Sequence, residues 1–306
     1  MVELLRTRTG AELTVAAFFV DPTVEGLVGQ VAAALEAGHD YDGATDSALA
    51  VLLPIRAAGE RAPLFCLPPM AGMSWSYAGL ARFLPADQPI YGLQSPALSE
   101  DDFDPADVSD LVDRYVAEIV AVRPHGPYRL LGWSLGGLLA HGVAAALQAR
   151  GERVELLAIL DGVPAPDLDD FRAEVRQAFA GLGIDLPADA DLATLDDDAL
   201  AAVHAALVTE PALFTLDRLG RIYRGALRTV ELAAAHRPGV FEGRVDYFTA
   251  TIPEADGRTH GGPADWAPHV RGPIENHPIA TTHLAMTSPE SLAELGPRLA
   301  ALLEQG

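Results

Sequence analysis

The segment Gly132-Trp133-Ser134-Leu135-Gly136-Gly137 is where residue types and spacing in this chain point most directly to chemistry. It follows the apolar run Tyr128–Leu131 and precedes the helical pattern Leu138–Arg150. A strand that turns sharply into a helix projects one side chain from a strained turn, and flanking glycines are needed because neighbouring Cβ atoms would clash. That side chain is Ser134. Its hydroxyl would stand at a helix N-terminus, where backbone N–H groups stabilise a developing oxyanion. The chemistry expected of such a serine is nucleophilic attack with a covalent intermediate.

A serine hydroxyl attacks only when a base takes its proton and a carboxylate orients that base. Of nine histidines, His39, His125, His141, His204 and His236 fall in a linker, beside the sheet, on helices or in an insertion. His260, His269, His277 and His283 follow the last clear strand, and His283 sits in Thr281-Thr282-His283-Leu284-Ala285-Met286, just before the final helix. His283 is the expected base, with His277 as the alternative. For the acid, Asp161 ends the run Glu155–Leu160, where a side chain would emerge at the edge of the sheet, while Glu254 and Asp256 follow the run Val245–Thr249. Asp161 is the expected acid and the later pair the second reading. The loop Pro68-Pro69-Met70-Ala71-Gly72 follows the run Leu64–Leu67. Its prolines have no N–H to give, so the expected oxyanion donors are the backbone N–H groups of Met70 and Leu135.

Positioning these groups requires a sheet. From Val51 onward, short apolar runs alternate with amphipathic segments, the pattern of an α/β fold with a mostly parallel central sheet and flanking helices. Strands are expected at Leu64–Leu67, Pro89–Leu93, Tyr128–Leu131, Glu155–Leu160, Val245–Thr249 and Ile274–Ile279. Helices are expected near Trp75–Leu84, Ser109–Val122 and Leu135–Arg150, with a closing helix from Pro289. Between Gly162 and Gly243 the strand signal gives way to three helical patterns and an acidic stretch, Asp185 to Leu200, an insertion of about 163–243 that reads as a lid. Its last helix places Leu216, Leu219, Ile222, Leu227 and Val230 on one face and Arg218, Arg221, Arg224 and Arg228 on another. Upstream, residues 1–37 read as two small helices and 38–50 as a polar linker, leaving 51–306 as the main domain.

Composition removes several alternatives. The chain has 306 residues, 49% of them hydrophobic, enough for a full core. A formal charge of −22 opposes phosphate backbones and anionic lipid surfaces, so neither nucleic acid nor membrane is an expected partner. No apolar run approaches the roughly 18 residues of a spanning helix and no signal pattern opens the chain, so a cytoplasmic location is expected. Cys66 is the only cysteine and lies in an apolar run, which makes it a core residue. The absence of lysine excludes Schiff-base catalysis and a Walker-type phosphate loop. No histidine spacing suits zinc and the acidic stretch lacks the glycine of a calcium loop, so no metal site is expected.

Four pieces in order, LFCLPPMAG, YRLLGWSLGG, LLAILDG and THLAM, resemble the type I thioesterases that terminate nonribosomal peptide synthetases, over about Pro54 to Leu303. Trp133 before the serine, the doubled glycine after it and Asp161 one strand earlier than in many lipases carry the likeness. The resemblance implies an α/β-hydrolase fold with a helical lid. It also implies release of a peptidyl thioester, by hydrolysis or macrocyclisation, through an acyl-Ser134 intermediate. The stretch Gly10 to Leu35 is similar to the tail of a peptidyl carrier domain, without the carrier's phosphopantetheine-bearing serine. The implied partners are therefore a carrier domain and upstream synthetase modules, with the substrate on the carrier's phosphopantetheine arm and no cofactor bound by this chain. The alternatives with the same triad are a stand-alone editing thioesterase and a carboxylesterase; a non-catalytic binding module is the third.

Overall fold

The computed structural model describes residues 48–181 and 215–305, with isolated positions at 8–9, 28–29, 31–32, 201 and 205. The carrier-like segment 1–37, the linker up to 47, the acidic stretch and the middle helical pattern of the insertion lie outside the described residues or touch only those isolated positions.

Seven strands form one sheet: β1 (Leu52–Arg56), β2 (Leu64–Leu67), β3 (Ile90–Leu93), β4 (Tyr128–Trp133), β5 (Val154–Leu160), β6 (Val245–Ala250) and β7 (Ile274–Ile279). Their order is β1-β3-β2-β4-β5-β6-β7, and every pairing is parallel except that of β1 with β3. Helices α1 (Val108–Val122), α2 (Leu135–Ala149), α3 (Leu168–Gly181), α4 (Leu216–Ala235) and α5 (Pro289–Glu304) supply the crossovers, the lid and the closing element.

The central strands are buried on both faces, as parallel strands between helical layers must be. Along β5, Leu157 and Ile159 join the cluster that includes α1 and α2, while Leu156, Ala158 and Leu160 join the cluster that includes α5. The alternation follows from the two-residue period of a strand. Burying a leucine or isoleucine in this way contributes about 1.5–3 kcal/mol per side chain.

Three local expectations are corrected. The segment near Trp75–Leu84 is a 3₁₀ helix over Trp75–Arg82; Ser74 supplies no side-chain cap, and the Phe83 N–H bonds the Leu80 carbonyl three residues back. Strand β1 is an addition to the expected strands, and Pro54 interrupts its apolar run. It is tolerated because β1 is an edge strand whose register shifts between Pro54 and Arg56. Ala48 and Leu49, assigned to the linker by composition, are buried against Leu53, Trp75 and Leu98. Trp75 Nε1 and Gln94 Nε2 both donate to the Ala48 carbonyl, at 3.2 and 2.9 Å.

In the insertion, Leu219 and Val230 of α4 are buried, and Ile222 and Leu227 pack at the edge of the core. Leu216, expected on the same face, is 46% exposed in the first turn. From the other face, Arg221 pairs with Asp101 at 2.6 Å and Arg228 lies 3.5 Å from Asp104. Among the described residues no helix is long and apolar enough to cross a membrane.

Candidate active site

Ser134 stands between the last residue of β4 and the first of α2, with φ 56° and ψ −125°. A non-glycine residue pays for a left-handed backbone in steric strain, and here the neighbours leave no alternative path. A Cβ on Gly132 would overlap the Gly136 carbonyl, and one on Gly136 would lie 2.6 Å from the Leu67 carbonyl oxygen. Gly136 therefore lets α2 approach the end of β2, which brings Leu135 beside the loop that carries Met70. The Ser134 N–H donates to the Leu160 carbonyl at 3.0 Å, fastening the turn to β5. Tyr77 ties the same corner from below: its hydroxyl accepts the Trp133 N–H and donates to the Leu67 carbonyl, both at 2.8 Å.

Asp161 follows β5 directly and also has a positive φ, 49°. Its N–H donates to the Phe248 carbonyl at 2.8 Å, and its Oδ1 accepts the Ala250 N–H at 2.9 Å. Its Oδ2 faces His283 Nδ1 at 2.9 Å. Both side chains are 2% exposed. The next residue is held as firmly, because Trp266 Nε1 and the Tyr247 hydroxyl both donate to the Gly162 carbonyl, at 2.8 and 3.1 Å.

His283 lies in the loop between β7 and α5. Trp133 Nε1 donates to the His283 carbonyl at 3.1 Å, so the residue before the serine also grips the histidine loop. The Nδ1 contact to Asp161 turns the ring so that Nε2 is the nitrogen left for a substrate-side proton. That Nε2 is buried and makes no hydrogen bond within the described residues. One pocket is lined by Ser134, Leu135, Asp161, His283 and Met70, and Val230 of α4 also lines it. The structure thus brings together all five residues singled out in the sequence.

The alternatives go elsewhere. His277 Nε2 faces Asp246 at 2.9 Å on the neighbouring strand, and Asp246 also accepts Arg244. Asp256 pairs with Arg258 at 2.7 Å. Glu254 is buried, but it touches the histidine loop through backbone: its Oε1 accepts the Leu284 N–H at 2.9 Å. His260, given no catalytic role from the sequence, stacks on the His283 ring with centroids 3.6 Å apart and planes 19° from parallel. Only its position after β6 hinted at this, since a ring stack across a loop has no sequence period. Cys66 is buried in β2, and burial pushes its thiol far above the ordinary range, which suits a core residue and no nucleophile. Among the described residues no cluster of three or more histidine, cysteine or acidic side chains could hold a metal ion.

Known proteins share this architecture. The chain is 35% identical over 316 residues to a dimodular nonribosomal peptide synthase of Bacillus subtilis, a match spanning all of this chain and 13% of that protein. It is 37% identical over 303 residues to a probable non-canonical nonribosomal peptide synthetase of Salinispora arenicola, covering 95% of this chain and 4% of that one. The chain therefore spans a small fraction of these relatives. Among solved structures it resembles the NocB thioesterase domain in covalent complex with a fluorophosphonate nocardicin G analogue, with 25% identity, a TM-score of 0.60 and coverage of 83% of this chain and all of that one. It also shares its fold with part of a four-domain nonribosomal peptide synthetase, with 20% identity, a TM-score of 0.72 and coverage of 98% of this chain and 23% of that one. The model of the thioesterase domain family matches residues 62–296, most of the described sheet and both lid helices, and the chain belongs to that family.

Proposed function

We propose that this domain releases a peptidyl or acyl-peptidyl chain from the phosphopantetheine thioester of a carrier domain, with Ser134 as the acyl acceptor. The observation that carries the reading is the buried Asp161–His283 pair, 2.9 Å apart, opening on the pocket that Ser134 also lines. His283 Nε2 takes the Ser134 proton as Oγ attacks the thioester carbonyl, and Asp161 stabilises the imidazolium that forms. The Met70 and Leu135 N–H groups receive the charge on the carbonyl oxygen, each worth about 10²–10³ in rate. The C–S bond then breaks, the proton passes from His283 to the departing thiolate, and an acyl ester remains on Ser134. Water, or a nucleophile within the peptide, attacks that ester with His283 again as base, yielding an acid or a ring.

Val230 of α4 and Pro166 and Asp167 ahead of α3 line the pocket, so an acyl chain on Ser134 would lie beneath the lid. Similarity along this whole chain to a part of much longer synthetases supports a carrier domain and upstream modules as partners, with residues 1–37 as the carrier's tail. The carrier presents the substrate, and the domain itself binds no cofactor. In such a setting the domain works in the cytoplasm.

Intact mass spectrometry of wild type and Ser134→Ala after brief incubation with a peptidyl thioester and with a fluorophosphonate tests this. An adduct on wild type alone is expected. Labelling of both proteins, or of neither, overturns Ser134 as the acyl acceptor.

A further inference from the structure

Glu254 closes a tight turn after β6: its N–H donates to the Arg258 carbonyl at 2.9 Å and its carbonyl accepts the Gly257 N–H at 2.8 Å. The side chain points inward and is 6% exposed. A buried carboxylate must have its oxygens hydrogen-bonded, and both are. Oε1 accepts the Leu284 N–H at 2.9 Å, on the residue that follows His283. Oε2 accepts from Gln177 Nε2 at 3.2 Å, on lid helix α3. Burial pushes the Glu254 carboxyl up, but the Leu284 N–H, Gln177, the Thr282 hydroxyl and the nearby His283 ring outweigh it and hold it below the usual range. The group is thus an anion with the lid on one oxygen and the histidine loop on the other.

Asp161 already occupies the Nδ1 side of His283 and spends its second oxygen on Ala250. Glu254 therefore orients no ring nitrogen; it sets where the loop sits. That matters because His283 Nε2 makes no hydrogen bond within the described residues while lining the same pocket as Ser134. Where the loop sits decides how the two groups meet.

We propose that Glu254 is a positioning residue that fastens lid helix α3 to the His283 loop, so that a chain settling beneath the lid draws the base onto Ser134. The inference rests on the triad assigned above. A long peptidyl thioester engages the lid and a small fluorophosphonate does not, so the two substrates separate the coupling from the chemistry.

The test measures kcat and KM on a peptidyl thioester, and the rate of fluorophosphonate labelling, for wild type, Gln177→Leu, Glu254→Leu, Glu254→Gln and the double leucine variant. Gln177→Leu removes only the lid bond and is expected to lower peptidyl kcat about tenfold, the worth of one hydrogen bond to a charged group, with KM and phosphonate labelling within about twofold of wild type. Glu254→Leu also frees the loop and is expected to slow both substrates, by about a hundredfold for the peptide. Glu254→Gln keeps an acceptor for Leu284 and, with the Gln177 amide turned over, the lid bond, so it rescues most of that loss. The double variant is expected to match Glu254→Leu alone, since the two side chains act through one bond. Additive losses in the double variant would overturn the inference, and so would wild-type peptidyl kcat in Gln177→Leu, which is readable even if Glu254→Leu fails to fold. Failure of wild type to label at Ser134 would instead sink the triad on which it stands.

Discussion

The proposed nucleophile and acid on one side of the pocket and the proposed base on the other are held in different ways. Ser134 and Asp161 follow adjacent strands directly, both in positive-φ conformations, and their backbones are hydrogen-bonded to Leu160 and Phe248. His283 lies in a loop held by Trp133 Nε1, the Asp161 carboxylate and Glu254. Strained backbone persists only where a rigid sheet over-determines it, whereas a loop held by side chains can be moved by whatever moves their partners. One side of the pocket is therefore fixed by the sheet, and in the proposed coupling the other answers to the lid.

If that contrast is right, Asp161→Asn should cost the most activity, about 10⁴-fold in kcat, because the amide presents the wrong partner to His283 Nδ1. Its thermal midpoint should stay near wild type, since the backbone bonds that hold residue 161 remain; a large loss of stability would mean that the carboxylate props up the sheet edge. Gly136→Ala attacks the fixed side by sterics. Its Cβ would meet the Leu67 carbonyl at 2.6 Å, so a destabilisation of about 3 kcal/mol is expected, read as a fall in midpoint of roughly 6–10 °C. A midpoint unchanged by this substitution would show that the elbow yields.

Acid should reach the fixed side first. His141, on α2 and fully buried, is pushed down to about 4, chiefly by burial, although the His269 carbonyl opposes this by accepting its Nε2–H at 2.8 Å. An unfolded histidine takes its proton near 6.5, so between about 6.5 and 4 only the unfolded state is protonated there, and stability falls as pH falls. That contribution is fully present above 6.5 and amounts to about 3 kcal/mol across the window. Glu254, with its carboxyl held below the ordinary range, has its full stabilising contribution above the ordinary carboxyl value and loses it as pH falls from there through the lowered value. Thermal midpoints measured from pH 7 to 4 should therefore decline in wild type and decline less steeply in His141→Leu; parallel slopes would remove His141 as the cause. Trp133→Phe should be the mildest, about tenfold in kcat with little change in midpoint, because it removes one hydrogen bond to the His283 carbonyl and leaves the rest of the loop's attachments.

The apolar periods of β2, β4, β5, β6 and β7, the glycines of the elbow and the position of Asp161 at a strand end are local features, and local patterns announce themselves in sequence. They determined the fold class and which five residues would share a pocket, because parallel strands deliver their C-terminal ends to one edge. Pro54 concealed β1, since a proline reads as a breaker until the strand is known to lie at the edge. The stack of His260 on His283, the grip of Trp133 on the histidine loop and the two-sided hydrogen bonding of Glu254 join segments far apart in the chain. Such contacts have no period and no spacing. They exist only once the sheet and the lid have brought their loops within hydrogen-bonding distance, which is why the tertiary structure alone decided them.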